Sequence, residues 1–459
     1  MDVSLLTQFR KYDKPGPRYT SYPPAPIFSS EFRAQQYQDE IRRTNGLANN
    51  SDLSLYFHLP FCDTLCYFCG CTMLVTHSAE RMHEYVAFLK KEIDLLAPLI
   101  STGRRVAQMH WGGGTPTSHS PFEIRELGEH VRRRFQFSGD VEVSVEVDPR
   151  GLTYDHLQAL SDVGFTRASL GVQDFNEEVQ HAINRLQSEH LTRQVVDWAR
   201  RLGFGSINVD LIYGLPLQTV ESFEKTLDAI IDISPERIAV YNFAYVPWMK
   251  THQKIIQVGD LPTPEAKLSI LAMTIENLEA AGYVYVGMDH FAKPDDELAV
   301  AQRNRTLHRN FQGYSTKAGC DLFGLGMSSI SHFDGVYAQN AKTLPEYYAA
   351  LDDNEFATLV GYRMTQDDQL RKHVIMRLMC DLVLMKPTVE RIYGIEFDSY
   401  FGEALSQLSP LQEDELIEVT SEELRVTRRG RLFLRNIAMC FDAHLAGLRK
   451  EKPIFSRTV

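Results

Sequence analysis

The sequence predicts an α/β protein built on a parallel sheet. Short β-branched or aromatic runs alternate with longer amphipathic ones through the first two thirds of the chain, and parallel neighbours need a crossover, for which a helix is the usual choice. Six runs read as strands: LSLYFHL (53–59), VAQMHW (106–111), VEVSVEV (141–147), RASLGV (167–172), INVDLIY (207–213) and RIAVYNF (237–243). Between the first two, Tyr85, Leu89, Ile93 and Leu96 share one helical stripe, and PFEIRELGEHVRRRF and TVESFEKTLDAIIDI behave similarly. The pattern alone does not decide whether the sheet closes.

Two further pieces flank this core. KYDKPGPRYTSYPPAP, rich in Pro and Tyr, disfavours helix and reads as an extended arm crossing a surface. Beyond about residue 350 the alternation stops. There DQLRKHVIMRLMCDLVL reads as a buried helix, and LIEVTSEELRVTRRGRLFL as a short hairpin followed by helix, a mostly helical, winged-helix-like unit. The expected division is 1–50 (arm and helical segment covering the site), 51–350 (barrel) and 351–459.

Composition narrows the function classes. The 459 residues are 44% hydrophobic and 24% charged with a net charge of -12, so the whole protein does not attract nucleic acid or anionic membrane. From Arg371 onward fourteen Lys and Arg meet thirteen Asp and Glu, which argues against a nucleic-acid role for the winged-helix-like unit. No run of about 18 apolar residues and no basic-then-apolar leader is present, so a cytoplasmic protein without a membrane span is expected, its scattered Cys320, Cys380 and Cys440 reduced.

The segment CDTLCYFCGC (62–71) holds four of the seven cysteines. On a helical turn Cys62, Cys66 and Cys69 would project from one narrow face, with Cys71 opposite. A structural zinc site, a redox-active thiol group and an iron-sulfur cluster all fit such a concentration. A structural zinc site wants four ligands, whereas three thiolates facing one way leave a coordination position open. HWGGGTPT (110–117) follows a strand, and Gly112, Gly113 and Gly114 let backbone approach a ligand, with N–H groups expected to be free; the bland reading is a tight βα connection. Val141, Val143, Val145 and Val147 alternate with Glu142, Ser144, Glu146 and Asp148, while Gln173 and Asp210 fall near strand C-termini, where α/β enzymes place their sites. An edge strand facing water is the alternative for such a polar face.

Together CDTLCYFC, GGGTPT, VEVDPR, GVQDF and DLIYGLP resemble the radical S-adenosylmethionine (SAM) enzymes. The further CGC, MDHFAKPDDELAVAQ and HRNFQGYST resemble the oxygen-independent coproporphyrinogen III oxidase branch, from GPRYTSYP to IAMCFD. The resemblance favours a partial or full (β/α) barrel over a doubly wound sheet. It implies that Cys62, Cys66 and Cys69 bind a 4Fe-4S cluster whose open iron takes one SAM. One-electron cleavage would then give a 5'-deoxyadenosyl radical, which takes hydrogen from a substrate propionate. Loss of CO2 and another electron leaves vinyl. Two propionates of coproporphyrinogen III would react in this way, giving protoporphyrinogen IX without oxygen in haem biosynthesis.

Carried over position by position, Tyr56, Gly113, Glu146, Ala244 and Ile330 would hold the cluster-bound SAM. Phe68, Gly114, Thr115, Gln173, Arg185 and Asp210 would hold a second SAM near Cys71. Tyr56 and Cys71 stand as catalytic candidates. An acidic protein needs local cations for an anionic substrate, so Arg18, Arg303 and Arg309 are candidates for a non-reacting propionate. An electron donor such as flavodoxin or ferredoxin and a monomeric state are also expected. A haem-trafficking relative, which binds haem and has an aromatic residue where this chain has Cys71, is the alternative function; CGC and HRNFQGYST speak against it.

Overall fold

The structure is a computed structural model that describes residues 10–45, 51–448 and 453–458. All six expected strands are present: β1 (Leu53–Leu59), β2 (Val106–Gly113), β3 (Phe137–Val147), β4 (Arg167–Gln173), β5 (Ser206–Tyr213) and β6 (Arg237–Asn242). Each pairs in parallel with the next. The crossovers are α1 (Ala79–Leu96), α2 (Pro121–Arg134), α3 (Tyr154–Asp162), α4 (Glu189–Arg201) and α5 (Val220–Ile233). Side chains of Ser78, Ser120, Ser188 and Thr219 accept from first-turn N–H groups and so fix where four of these helices begin.

Antiparallel wings extend the sheet on both sides. Beyond β6 lie β8 (His290–Ala292) and, outside it, β7 (Val284–Gly287). The hairpin β9 (His308–Asn310) and β10 (Gly313–Ser315) stands apart. On the other side β11 (Asp321–Leu325) pairs in parallel with β1, and β12 (Ile330–Phe333), β13 (Val336–Asn340) and β14 (Thr358–Arg363) continue antiparallel. The twelve-stranded sheet ends at β14 and β7 without closing, which makes the barrel a partial one.

Strand β3 lies between β2 and β4, so the edge-strand reading of its polar face is wrong. Val143, Val145 and Val147 are buried in the apolar core, while Glu142, Ser144 and Glu146 line an interior cavity of about 140 Å³ with Gln108, Asn208 and Asp210. The helices cover one face of the sheet and the polar chemistry occupies the other.

The C-terminal part carries α6 (Gln366–Asp381), a three-stranded antiparallel sheet of Val383–Met385, Ile417–Val419 and Glu423–Val426, and a final helix Leu434–Met439. Its core includes Phe397, Phe401, Phe433 and Phe441, and the arm residues Tyr12, Tyr19 and Tyr22 are buried in the same cluster. The arm then runs to the sheet edge, where Ser29 and Gly361 exchange backbone hydrogen bonds of 2.8 and 3.0 Å. Arg435, 5% exposed, fastens its start: the guanidinium donates to the carbonyls of Gly16 and Pro17 in the arm and of Ser456 and Arg457 beyond the helix.

Replacing Arg435 by Met removes the side-chain donors to the Gly16, Pro17 and Arg457 carbonyls in a buried setting, while Ser456 O keeps the Gly16 N–H, a cost of roughly 3 kcal/mol. Limited proteolysis is expected to cut the variant within residues 12–33 faster than wild type; equal cutting rates would mean that the tyrosines alone hold the arm.

Candidate functional site

The cysteine segment is a loop. No helix forms across residues 62–71, so the one-face projection expected from helical geometry does not apply; the sulfurs are held in place from outside. The Gln253 amide, 0% exposed, donates to the carbonyls of Phe68 and Ala244 at 3.0 and 3.1 Å. His252 bonds to Cys69 O and Lys250 Nζ to Cys71 O, each at 2.8 Å, and Asn184 donates to Leu65 O at 2.9 Å. Loop position therefore depends on residues 119 to 185 positions away in sequence.

Each of the three expected sulfurs has a polar neighbour. Cys62 Sγ shares a hydrogen at 3.4 Å with Thr115 Oγ1, Cys69 Sγ accepts the Cys71 backbone N–H at 3.4 Å, and Cys66 Sγ accepts from Arg150 at 3.2 Å and Arg185 at 3.6 Å. Donors aimed at sulfur are what thiolate ligands of a cluster require. Burial pushes the Cys62 thiol up to about 12, with the Thr115 hydrogen bond opposing, so the polypeptide alone keeps it protonated. Among the described residues no three His, Cys, Asp or Glu side chains converge on a single ion, which disfavours the zinc alternative; ligands to different irons of a cluster need no such convergence.

The glycine turn works through absent side chains, and the expectation of free N–H groups is not met. Gly113 N–H donates to Glu146 Oε2 at 3.0 Å, Gly114 N–H to Leu59 O at 2.8 Å and Thr115 N–H to Phe61 O at 2.7 Å. A Cβ on Gly112 would meet the Glu146 carboxylate at 2.8 Å, and one on Gly113, whose φ is +110°, the His58 ring at 2.6 Å. The turn thus lets Glu146 and His58 close in.

A cavity of about 580 Å³ adjoins the loop at Gly70 and Thr72. Tyr56, Glu146, Ile330, Arg18 and Arg309 all line it, which brings together five of the expected residues. Tyr56 stacks on His110 with centroids 5.9 Å apart and its hydroxyl lies 3.1 Å from His58 Nδ1. Asp210 lines the adjoining smaller cavity, receiving Ser169 Oγ–H at 2.9 Å and an Asn208 N–H at 2.8 Å. Gln173 is buried at φ +72°, a left-handed conformation held at the C-terminal end of β4. Phe68 packs on Val179, Ile183 and Phe243 beneath the loop.

The three arginines separate. Arg309 is 3% exposed and two of its nitrogens, Nε and Nη1, are buried without a partner in the structure. Arg18 pairs with Asp289 and lies 5.6 Å from the Tyr241 ring. Arg303 does not belong to the cavity: it is exposed at the end of the helix Glu297–Arg303 and donates to Pro294 O at 2.8 Å. Adjacency to the HRNFQGYST motif was a poor guide, because that helix end faces solvent.

Electrostatics divide the cavity. Burial raises Glu146, but the hydrogen bond from His110, the Gly113 N–H and nearby His58 outweigh it and hold the carboxyl below its usual range. Burial, opposed by Ser169 and Asn208, lifts Asp210 to about 6. His290, between the arginines, is lowered well below its normal value by burial and by Arg309, Arg18 and Arg237, and is neutral. Sequence reasoning missed His58, His110, Tyr241, His290 and Gln312 in this lining. His58 was within reach, since Ser54, Tyr56 and His58 alternate on one face of β1.

Comparison with known proteins fits this geometry. Residues 56–230 match the Radical SAM superfamily, and residues 364–433 the HemN C-terminal domain. The oxygen-independent coproporphyrinogen III oxidase of Escherichia coli is 47% identical over 458 residues, covering 100% of this chain and 98% of that protein. The proteins so named from Synechocystis and Pseudomonas aeruginosa are 45% and 42% identical, covering 98% and 100% of this chain and 97% and 98% of their own lengths. This chain belongs to that family. The solved structure of the Escherichia coli coproporphyrinogen III oxidase, described as a radical SAM enzyme, superimposes with a TM-score of 0.90 at 46% identity, covering 93% of this chain and 98% of that one.

A stability measurement tests the Asp210 environment. Raised from 3.8 to about 6, its folded form binds more protons than the unfolded chain between about pH 4 and 6, so stability from this group is lost as pH rises through that window and stays lost above it. Asp210→Asn is therefore expected to be more stable than wild type by roughly 3 kcal/mol at pH 7, with the difference vanishing near pH 4. A constant difference at both pH values would contradict the buried setting.

Proposed function

We propose that this protein converts coproporphyrinogen III to protoporphyrinogen IX without oxygen, acting as a monomer in the cytoplasm with a one-electron donor such as flavodoxin or ferredoxin. Each reacting propionate, R–CH2–CH2–COO⁻, becomes R–CH=CH2 with release of CO2, one proton and two electrons. The observation that carries the substrate reading is the meeting, in one cavity, of the cysteine loop with Arg309, a buried guanidinium lacking partners for two of its nitrogens. Nε–H and Nη1–H leave from different edges of the guanidinium, so each can donate to a separate oxygen of an anionic substrate, and charge-assisted hydrogen bonds of this kind suit arginine.

A 4Fe-4S cluster at Cys62, Cys66 and Cys69, with SAM in the adjoining cavity, supplies reductive cleavage to an organic radical that can take hydrogen from carbon. The chain's own residues hold and orient. Tyr56 and its stacked partner His110 offer a flat wall, Glu146 stays ionised to accept from an ammonium or hydroxyl, and Gly113, Ala244 and Ile330 complete that subsite through shape. Phe68, Gly114, Thr115, Gln173, Arg185 and Asp210 are proposed for the second SAM, with Cys71 beside it. Arg18, in the arm, and Arg309 are proposed to hold a propionate that does not react, and the arm is proposed to cover the site.

Anaerobic incubation of reconstituted protein with coproporphyrinogen III, SAM and a reductant tests the whole reading; absence of the monovinyl and divinyl products would sink it. Cys62→Ser, Cys66→Ser and Cys69→Ser are expected to lose broad absorption near 400 nm and all SAM cleavage, because a hydroxyl poorly replaces a thiolate, while Cys71→Ser keeps the absorption. Arg309→Met is expected to lower coproporphyrinogen turnover at least tenfold while substrate-free SAM cleavage changes less than twofold. Equal loss in both assays would place Arg309 outside substrate binding.

A further inference from the structure

The hairpin β9–β10 separates two spaces. Arg309 lines the large cavity, whereas its neighbour His308 lines another of about 460 Å³, together with His332, Lys372, His373, Met376 and Arg377. A narrow space of about 30 Å³ shares lining with both: Lys372, His308 and His332 with the second cavity, and Thr20, Arg309 and Phe311 with the first.

This second cavity carries a cation with no counter-ion. The polar partner of Lys372 Nζ is His332 Nε2 at 2.7 Å, and the ammonium lies 5.2 Å from the Tyr337 ring; no carboxylate of the described residues pairs with it. The other charges are spent. Arg377 is bonded to Asp381 at 2.9 Å and donates to Leu307 O at 2.9 Å, and Asp334 pairs with Arg43. Burial lowers Lys372 to about 7 and His308 to about 4, and lowers His332 further. The imidazoles are therefore neutral, and a single ammonium is left facing a roomy space walled partly by Met364 and Met376. A cation without an anion in such a setting costs free energy that an arriving carboxylate repays. Metal ions do not suit it, since an ammonium repels them and no three ligating side chains converge.

We propose that this cavity is an outer binding site for a second polycarboxylate molecule of the tetrapyrrole class, anchored through one carboxylate by Lys372 and adjoining the cavity that contains Arg309. The inference rests on the proposed substrate. Apolar walls beside a lone cation suit a carboxylate on a hydrophobic body better than a small hydrated anion. His308 and Arg309 face adjoining spaces from successive positions of one strand, so one short hairpin serves both.

The test titrates coproporphyrin III, the stable fluorescent oxidised form, into reconstituted wild-type protein. Two binding events are expected. Lys372→Met should weaken one of them at least tenfold, Lys372→Arg should restore it, and Arg309→Met should weaken the other. Because the ammonium form binds, the Lys372-dependent event should lose about tenfold in affinity per pH unit above 7 in wild type and stay level in Lys372→Arg; His308, His332 and His373, all lowered by burial, stay neutral over that range, and the other charged groups of the cavity, Asp334 and Arg377, are paired with Arg43 and Asp381. A single event in wild type, or a second event indifferent to Lys372→Met, overturns the proposal. So does inorganic phosphate binding there more tightly than coproporphyrin III. Turnover on the same preparation separates the two readings: product with one binding event removes only the outer site, whereas no product removes the substrate assignment.

Discussion

Asp148 lies between the guanidinium groups of Arg150 and Arg185, at 2.7 and 2.9 Å, and both guanidiniums reach the sulfur of Cys66. This contact joins the C-terminal end of β3 to a loop whose regular pairing is limited to the two-residue strands Phe61–Cys62 and Leu74–Val75 at its ends. Burial raises the Asp148 carboxyl, but Arg185 and Arg150 outweigh it and keep it ionised, so one carboxylate holds two guanidiniums under the cysteines. Asp148 is the member whose loss would strand buried charge, since both guanidiniums would then lack a carboxylate. Loop, glycine turn and cavity take their relative positions from it, with Gln253 fixing the loop on the opposite flank.

The parallel half of the fold was legible because its signals are local. Each of β1 to β6 is a run of β-branched or aromatic residues bounded by turn residues, with an amphipathic helix behind it. Strands β7, β8 and β11 to β14 were not legible: they run to six residues at most, four of them carry a Gly or Ser, and they form largely by antiparallel pairing with elements whose positions the sequence pattern does not display. The same division holds in the site. Tyr56, Glu146, Arg18 and Arg309 come together in one cavity, whereas Arg303, chosen by nearness in sequence, points to solvent. The glycines were rightly singled out for close approach, but what approaches first is protein, Glu146 and His58, because the N–H groups are already taken.

Net charge and local charge have opposite signs here. A chain of net charge -12 places Arg18 and Arg309 within one cavity and Lys372 in the next. Inside that cavity Glu146 is ionised and Asp289 pairs with Arg18, so Arg309 is the cation left without a carboxylate partner among the described residues, and its field acts on anions once they reach the mouth. Together with burial it accounts for the neutral His290, since a third positive charge next to Arg18 and Arg309 would be costly.

The pairing of the arm with the far end of the chain bears on how the protein is made. Pro15 bridges Arg457, Gly16 N–H bonds to Ser456 O at 3.0 Å, and Arg435 ties both segments together. The arm thus waits for partners that are translated about 440 positions later. Folding that proceeds from the N-terminus during synthesis builds the sheet and the cysteine loop before the arm can lock. For that interval the large cavity lacks the Arg18 side of its wall.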